Sequence, residues 1–216
     1  MMAILKKIQE KTVEENGIAS ARGSTGGKGN EELNMLVTDE KWMPSDLKGF
    51  VAISSPLNLN LREMTESFQR QGFDNDIIDR MFGFERDKYD PFLALKEFQN
   101  VERKSSFLHE LPPFKIYHGT DDKTVPYKVS DTFFKELQKT LTDEKSVSFD
   151  SYSGWSHTDP ILEGPMDADH RLHKDLFNDV KRWTQSPSLT WPDDPVINSR
   201  LCPHFLVEAS RYMNPF

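Results

Sequence analysis

Two stretches of this chain carry side chains able to hold and move a proton. The first is His118-Gly119-Thr120-Asp121-Asp122-Lys123-Thr124-Val125-Pro126, which follows the apolar run Phe114, Ile116 and Tyr117. The second is Gly154-Trp155-Ser156-His157, after the alternating segment Ser146 to Tyr152. A histidine that gives and takes a proton near neutral pH needs a group that fixes its tautomer, and a carboxylate does this. Asp122 falls in the turn after one predicted strand and His157 in the loop after the next, so both project over one edge of a parallel sheet. Taken singly, Asp122 is a turn former and His157 an ordinary loop residue; the strand context at both positions joins them. Acid before histidine is the order of the last two members of a serine–acid–histidine triad. Asp121 is the rival acid, and Asp122 is preferred for its spacing to Val125-Pro126. The first member of a triad, a serine within G-x-S-x-G, occurs nowhere in the 216 residues.

Other chemistry-bearing residues are weaker candidates. Ser24, in Gly23-Ser24-Thr25-Gly26-Gly27, has the wrong spacing and no strand before it to build a strained elbow. Gly27-Lys28 lacks the glycine and hydroxyl residue that a phosphate loop needs at Arg22 and Gly29. His170 and His173, with Asp167, Asp169 and Asp175, read as the solvated face of a helix start rather than as metal ligands. No cofactor or metal is therefore expected. Terminal Asn214-Pro215-Phe216 looks like a short peptide ligand, but one tripeptide is weak evidence and a packed C-terminus is the better reading.

The elements that must position Asp122 and His157 follow from periodicity. Gly49 to Ser54 is a short continuous apolar run, the pattern of a strand buried on both faces of a parallel sheet. Phe114 to His118 is the second strand, and Ser146 to Tyr152 alternates as a half-buried edge strand. Between the last two lies a helix with Pro126 in its first turn and Val129, Phe133, Leu137 and Leu141 as its buried stripe. Leu172, Leu176, Val180 and Trp183 mark a closing helix, and Phe205, Leu206 and Ala209 a short amphipathic segment near the end. Residues 61–111 are helical but irregular, broken at Pro91, and read as a cap inserted between strands. The cap is rich in aromatics, of which Phe68, Phe73 and Phe82 are candidates for an apolar substrate pocket, although most such rings only pack. Residues 14–32 are too polar and Gly-rich to pack and read as a flexible loop; 187–216 form a C-terminal arm, proline-rich and extended to Pro195. Met1, Ile4, Leu5 and Ile8 share one face of a helix that opens the chain without a capping residue. The sum is one α/β domain over 1–216, with a mostly parallel sheet and flanking helices.

Composition narrows the function. A formal charge of -8 argues against nucleic acid as a partner. Cys202 stands alone, so no internal disulfide forms, and a reducing compartment is the natural setting for a soluble chain. No stretch approaches the roughly 20 apolar residues of a membrane span.

From about Gly49 onward the chain resembles the prenylcysteine methylesterases, relatives of carboxylesterase-type α/β-hydrolases. The resemblance rests on Phe50 to Ser55 with Leu57-Asn58-Leu59, on Glu66-Ser67-Phe68 and Gly72, on His118 to Pro126, and on Ser156-His157-Thr158-Asp159. It continues through Arg200-Leu201-Cys202-Pro203-His204-Phe205-Leu206 to Pro215-Phe216. It implies hydrolysis of a methyl ester on a C-terminal prenylated cysteine, with a small-molecule or prenylated-peptide ester as substrate and an association with endoplasmic reticulum or Golgi membranes. It further implies that the helix Met1 to Lys11 is the one that follows the nucleophilic serine. The chain would then be the C-terminal portion of such a fold, without the elbow, the oxyanion loop or the first strands. A binding module for prenylated or lipidated partners, and another ester or amide hydrolase of the same fold, remain open alternatives.

Overall fold

The computed structural model describes residues 46–99, 111–141, 147–193 and 199–213. The expected opening helix, the loop at 14–32 and Ser24 lie outside the described residues. Three strands form a parallel sheet in the order β1 (Phe50–Ile53), β2 (Phe114–Gly119), β3 (Val147–Tyr152). Phe50 lies opposite Phe114, and Phe114 opposite Val147, so the three strands start level and end on one edge.

Strand β2 is buried along its whole length, as a central parallel strand must be. Its side chains alternate between two cores. Phe114 and Ile116 face Phe133, Leu137 and Leu141 on one side. Tyr117 faces Tyr152, Trp155 and Leu172 on the other. Strand β1 differs from expectation: of its four residues Ala52 alone is fully buried. The reason is position, because among the described residues β1 is an edge of the sheet.

Among the described residues between β1 and β2 lie four short helices: α1 (Arg62–Arg70), α2 (Ile77–Met81), α3 (Arg86–Tyr89) and α4 (Pro91–Gln99). Pro91 opens α4 as well as closing what precedes it. Asp90, fully buried, accepts the amide of Phe92 at 2.8 Å and the backbone and side-chain N–H groups of Asn60 at 3.0 and 2.8 Å. A buried carboxylate at a helix start thus satisfies one free amide and anchors the preceding loop. Met64 and Ile78 of this assembly pack on Val125 and Val129 above the strand ends.

Helix α5 (Tyr127–Thr140) joins β2 to β3 and buries Val129, Phe133 and Leu137. Pro126 is its N-cap in extended conformation (ψ 135°), one residue earlier than the first helical turn. After β3 come α6 (Glu163–Met166), α7 (Arg171–Trp183) and α8 (His204–Met213). Helix α7 is pinned to the sheet by two tyrosine–aspartate pairs one turn apart. Tyr117 donates to Asp179, and Tyr152 donates to Asp175 at 2.7 Å. Burial first, then these carboxylates, push both phenols well above their ordinary range. The apolar stripe read for α7 is therefore interrupted: Leu172 is buried, Val180 is exposed, and Asp179 takes an inward position.

Described residues after Pro187 make contacts with the helices before them. Trp191 packs edge-on to Phe177, and the amides of Leu201 and Cys202 both donate to the Met166 carbonyl. On α8 the buried side chain is Val207, whereas Phe205 and Leu206 face outward, opposite to the register expected from the sequence. The helix turns that way because Arg211 is drawn to the buried Asp159. No helix among the described residues is long and apolar enough to cross a membrane.

Candidate functional site

The turn after β2 is held by its own aspartate. Asp122 Oδ1 accepts the amides of Thr124 at 2.9 Å and Val125 at 2.8 Å, the local bonding that makes Asp a turn residue. The other oxygen, Oδ2, is free to face the loop after β3. There His157 Nδ1 lies 2.9 Å from it. A carboxylate only accepts, so Nδ1 carries the proton and Nε2 of a neutral ring is left with its lone pair. Asp121 is exposed, and its Oδ1 accepts from the adjacent Thr120 hydroxyl at 3.0 Å. The geometry separates the two acids: the first serves its neighbour, the second meets the histidine.

The two loops approach closely because Gly119 permits it. A Cβ at this position would lie 2.2 Å from the Trp155 carbonyl oxygen. The same approach is sealed by the Asp121 amide donating to Trp155 at 3.0 Å and the Gly154 amide donating to the Thr120 hydroxyl at 2.9 Å.

A second histidine, not singled out from the sequence, stands behind the acid. His118 is buried at the end of β2, with Nε2 donating to the Val125 carbonyl at 2.8 Å and 3.3 Å from Asp122 Oδ2. Its Nδ1 then accepts from Ser130 at 2.7 Å. Its place in the strand pattern gave only a core residue; the clue was its spacing of four from Asp122 across a tight turn. Burial pushes the Asp122 carboxyl up, but hydrogen bonds from His118 and His157, the charge of His157 and the Val125 amide outweigh it and bring the pKa down to about 2.

Helix α1 is fastened to this turn from the other side. Ser67, fully buried, shares its one hydroxyl proton between the carbonyls of Lys123 and Thr124, and Gln71 adds a bond to Lys123. The Ser156 amide and hydroxyl both donate to Asp159 Oδ2, at 2.7 and 2.9 Å, which fixes the loop immediately before His157.

His157 lines a cavity of about 330 Å³ whose walls include Met64, Phe68, Ile78, Phe82 and Val125. Of the three aromatics named from the sequence, Phe68 and Phe82 are in this wall. Phe73 is outside the lining, half exposed, with its ring centroid 5.8 Å from that of Phe68. It braces the wall from behind because the chain turns away at Gly72 (φ +84°).

The carboxylates around His170 and His173 are committed elsewhere. Asp167 pairs with Arg200 and His204, Asp169 with Arg171, and Asp175 with Tyr152. The two imidazoles are half-buried against each other, and His170 also packs on Trp191, rather than both lying on a solvated face. Among the described residues no group of three or more His, Cys, Asp or Glu side chains is arranged to hold a metal ion.

Fold and site define an α/β protein whose parallel strands carry an aspartate–histidine pair on one edge, beside an apolar cavity. The chain is related to the isoprenylcysteine alpha-carbonyl methylesterases over 81% of its length, and so distantly to ester hydrolases. It is 30% identical over 181 residues to isoprenylcysteine alpha-carbonyl methylesterase ICME of Arabidopsis thaliana. It is 26% identical over 177 residues to the probable methylesterase ICMEL1 of the same plant, and 27% over 178 to that of Oryza sativa subsp. japonica. The matched stretch spans 39%, 35% and 40% of those proteins, so the chain covers about two fifths of their length. Neither a protein-family model nor a solved structure matches it.

Proposed function

We propose that this chain supplies the acid, the base and the apolar pocket of an ester hydrolase of the α/β-hydrolase type, acting on the methyl ester of a prenylated cysteine or a similarly apolar ester. One observation carries the reading: His157 is bonded through Nδ1 to a buried carboxylate and lines an apolar cavity. In this role Asp122 stays ionised and holds the imidazole in the Nδ1–H tautomer. Nε2 takes the proton of a nucleophilic hydroxyl, and the imidazolium returns it to the departing alkoxide. Asp122, tuned to remain charged, stabilises the imidazolium between these steps. The serine comes from outside the described residues. Without it, His157 activating water alone gives very weak catalysis.

The hydrocarbon wall of Phe68, Phe82, Met64 and Ile78 suits an apolar chain, and the names of the relatives supply the methyl ester. The test is hydrolysis of S-farnesylcysteine methyl ester by the protein as its natural gene encodes it, with His157→Ala alongside. Turnover that falls by about three orders of magnitude or more in the variant supports the reading. Binding of the ester without turnover makes the chain a binding module for prenylated partners, and unchanged turnover in the variant removes His157 from the reaction.

A further inference from the structure

Strand β1 ends at Ile53, and the next residue adopts a conformation that side chains with a Cβ seldom take. Ser54 has φ +43°, in the left-handed region. Its amide donates to the Tyr117 carbonyl at 2.9 Å, so the unusual turn is pinned to β2. The residue is 5% exposed, yet its hydroxyl has no hydrogen-bond partner among the described residues. Ser55 beside it is satisfied by the Ile53 carbonyl at 3.1 Å. A buried hydroxyl without a partner is unfavourable, and so is a non-glycine residue at positive φ. Both occur together at one residue, and that residue lines the cavity shared with His157. Strain and unpaired polarity of this kind accumulate where a ligand, rather than the protein, completes the bonding.

The rest of the cavity sharpens the point. Thr124 Oγ1 is already met by Gln71 Nε2 at 3.4 Å, and most of the remaining wall is hydrocarbon. Of the three hydroxyl residues in the wall, Ser54, Ser55 and Thr124, Ser54 is the one whose hydroxyl has no hydrogen-bond partner among the described residues. No hydrogen bond joins the Ser54 hydroxyl to His157, so nothing activates it as a nucleophile.

We propose that Ser54 is the polar anchor of the cavity, donating a hydrogen bond to the carbonyl oxygen of an ester whose apolar chain lies against Met64, Phe68, Ile78 and Phe82. The anchor selects a carbonyl-bearing ligand over a hydrocarbon of equal size and holds the carbonyl at the His157 end. The choice of an ester as ligand rests on the function proposed above; the test does not, because it measures binding without turnover.

Dissociation constants of methyl octanoate and of nonane are measured by NMR titration on the 216-residue chain, as wild type, Ser54→Gly and Ser54→Ala. Glycine removes the hydroxyl and accepts the positive φ, so it separates loss of the hydrogen bond from backbone strain. The expected result is an ester affinity about fivefold to tenfold weaker in both variants, with nonane within about twofold of wild type. Equal weakening of both ligands, unchanged ester binding in Ser54→Gly, or no ester binding to the wild type would overturn the assignment. So would stoichiometric labelling of Ser54 by an alkyl fluorophosphonate, which would make it a nucleophile instead. None of these outcomes alters the His157→Ala comparison, so the two proposals fail separately.

Discussion

Arg211, on helix α8, donates through Nε to Asp159 Oδ1 at 2.8 Å. The other oxygen of that carboxylate holds Ser156, the residue before His157. The C-terminal helix is thereby tied to the histidine loop through one buried carboxylate. Burial opposes the charge on Arg211, but Asp159 and Glu208 more than compensate and raise its pKa.

Removing the cation leaves Asp159 buried and uncompensated. Arg211→Ala is expected to destabilise the chain by about 3 kcal/mol, the range for breaking a buried pair by deleting one partner. Urea unfolding measures it. Arg211→Lys restores the charge but not the planar fork, so it recovers only part of the loss. A variant within about 0.5 kcal/mol of wild type would show that α8 does not support the loop.

Asp122 makes stability depend on acidity. Its pKa lies below the unfolded value, at about 2, so its contribution is fully present above about pH 4 and is lost as pH falls toward 2. About 2 kcal/mol is at stake. His173 adds an earlier loss: burial and then neighbouring His170 lower its pKa, so stability declines as pH drops below about 6.5. Unfolding free energies across this range should fall in two stages, and Asp122→Asn should flatten the lower one.

The tautomer of His157 is set by Asp122 alone among the contacts described. In wild type, nitrogen chemical shifts should report the proton on Nδ1. Asp122→Asn can turn its amide N–H toward the ring, and the Nε2–H form should then grow. For the ester hydrolase proposed above, the same change should lower kcat by about four orders of magnitude, with KM little changed. A tautomer ratio identical in both proteins would contradict the assignment of Asp122.

Gly119→Ala drives a Cβ into the Trp155 carbonyl, and backbone cannot step aside as a flexible side chain would. A loss of about 3 kcal/mol is expected, at the upper end of overpacking. The urea midpoint should fall accordingly, and the His157–Asp122 bond, followed by the Nδ1 proton, should loosen with it. Gly72→Ala meets a positive φ (+84°) in open space instead of a clash, so its cost should be nearer 1 kcal/mol.

Local patterning determined much of this protein. Continuous apolar runs and an alternating one specify three strands, since a period of two is a property of the backbone itself. Asp122 and His157 were legible because turn chemistry places each at a strand end, and parallel strands put their ends on one edge. Packing between distant segments decided the rest. Ser54 reads as an ordinary loop serine until the fold buries it at positive φ beside the cavity. His118 reads as core until the turn folds Asp122 back upon it. Phe68 and Phe73 are equivalent in the sequence, and only the course of the chain after α1 puts one in the wall and the other behind it. The register of α8 differs from the sequence pattern because apolar residues (Phe205, Leu206, Val207) occupy three successive positions, and local periodicity does not say which of them faces inward. Asp159, 52 residues away, supplies the charge that turns Arg211 and Val207 inward. Interactions across such separations depend on loop closure and burial, which no local period encodes.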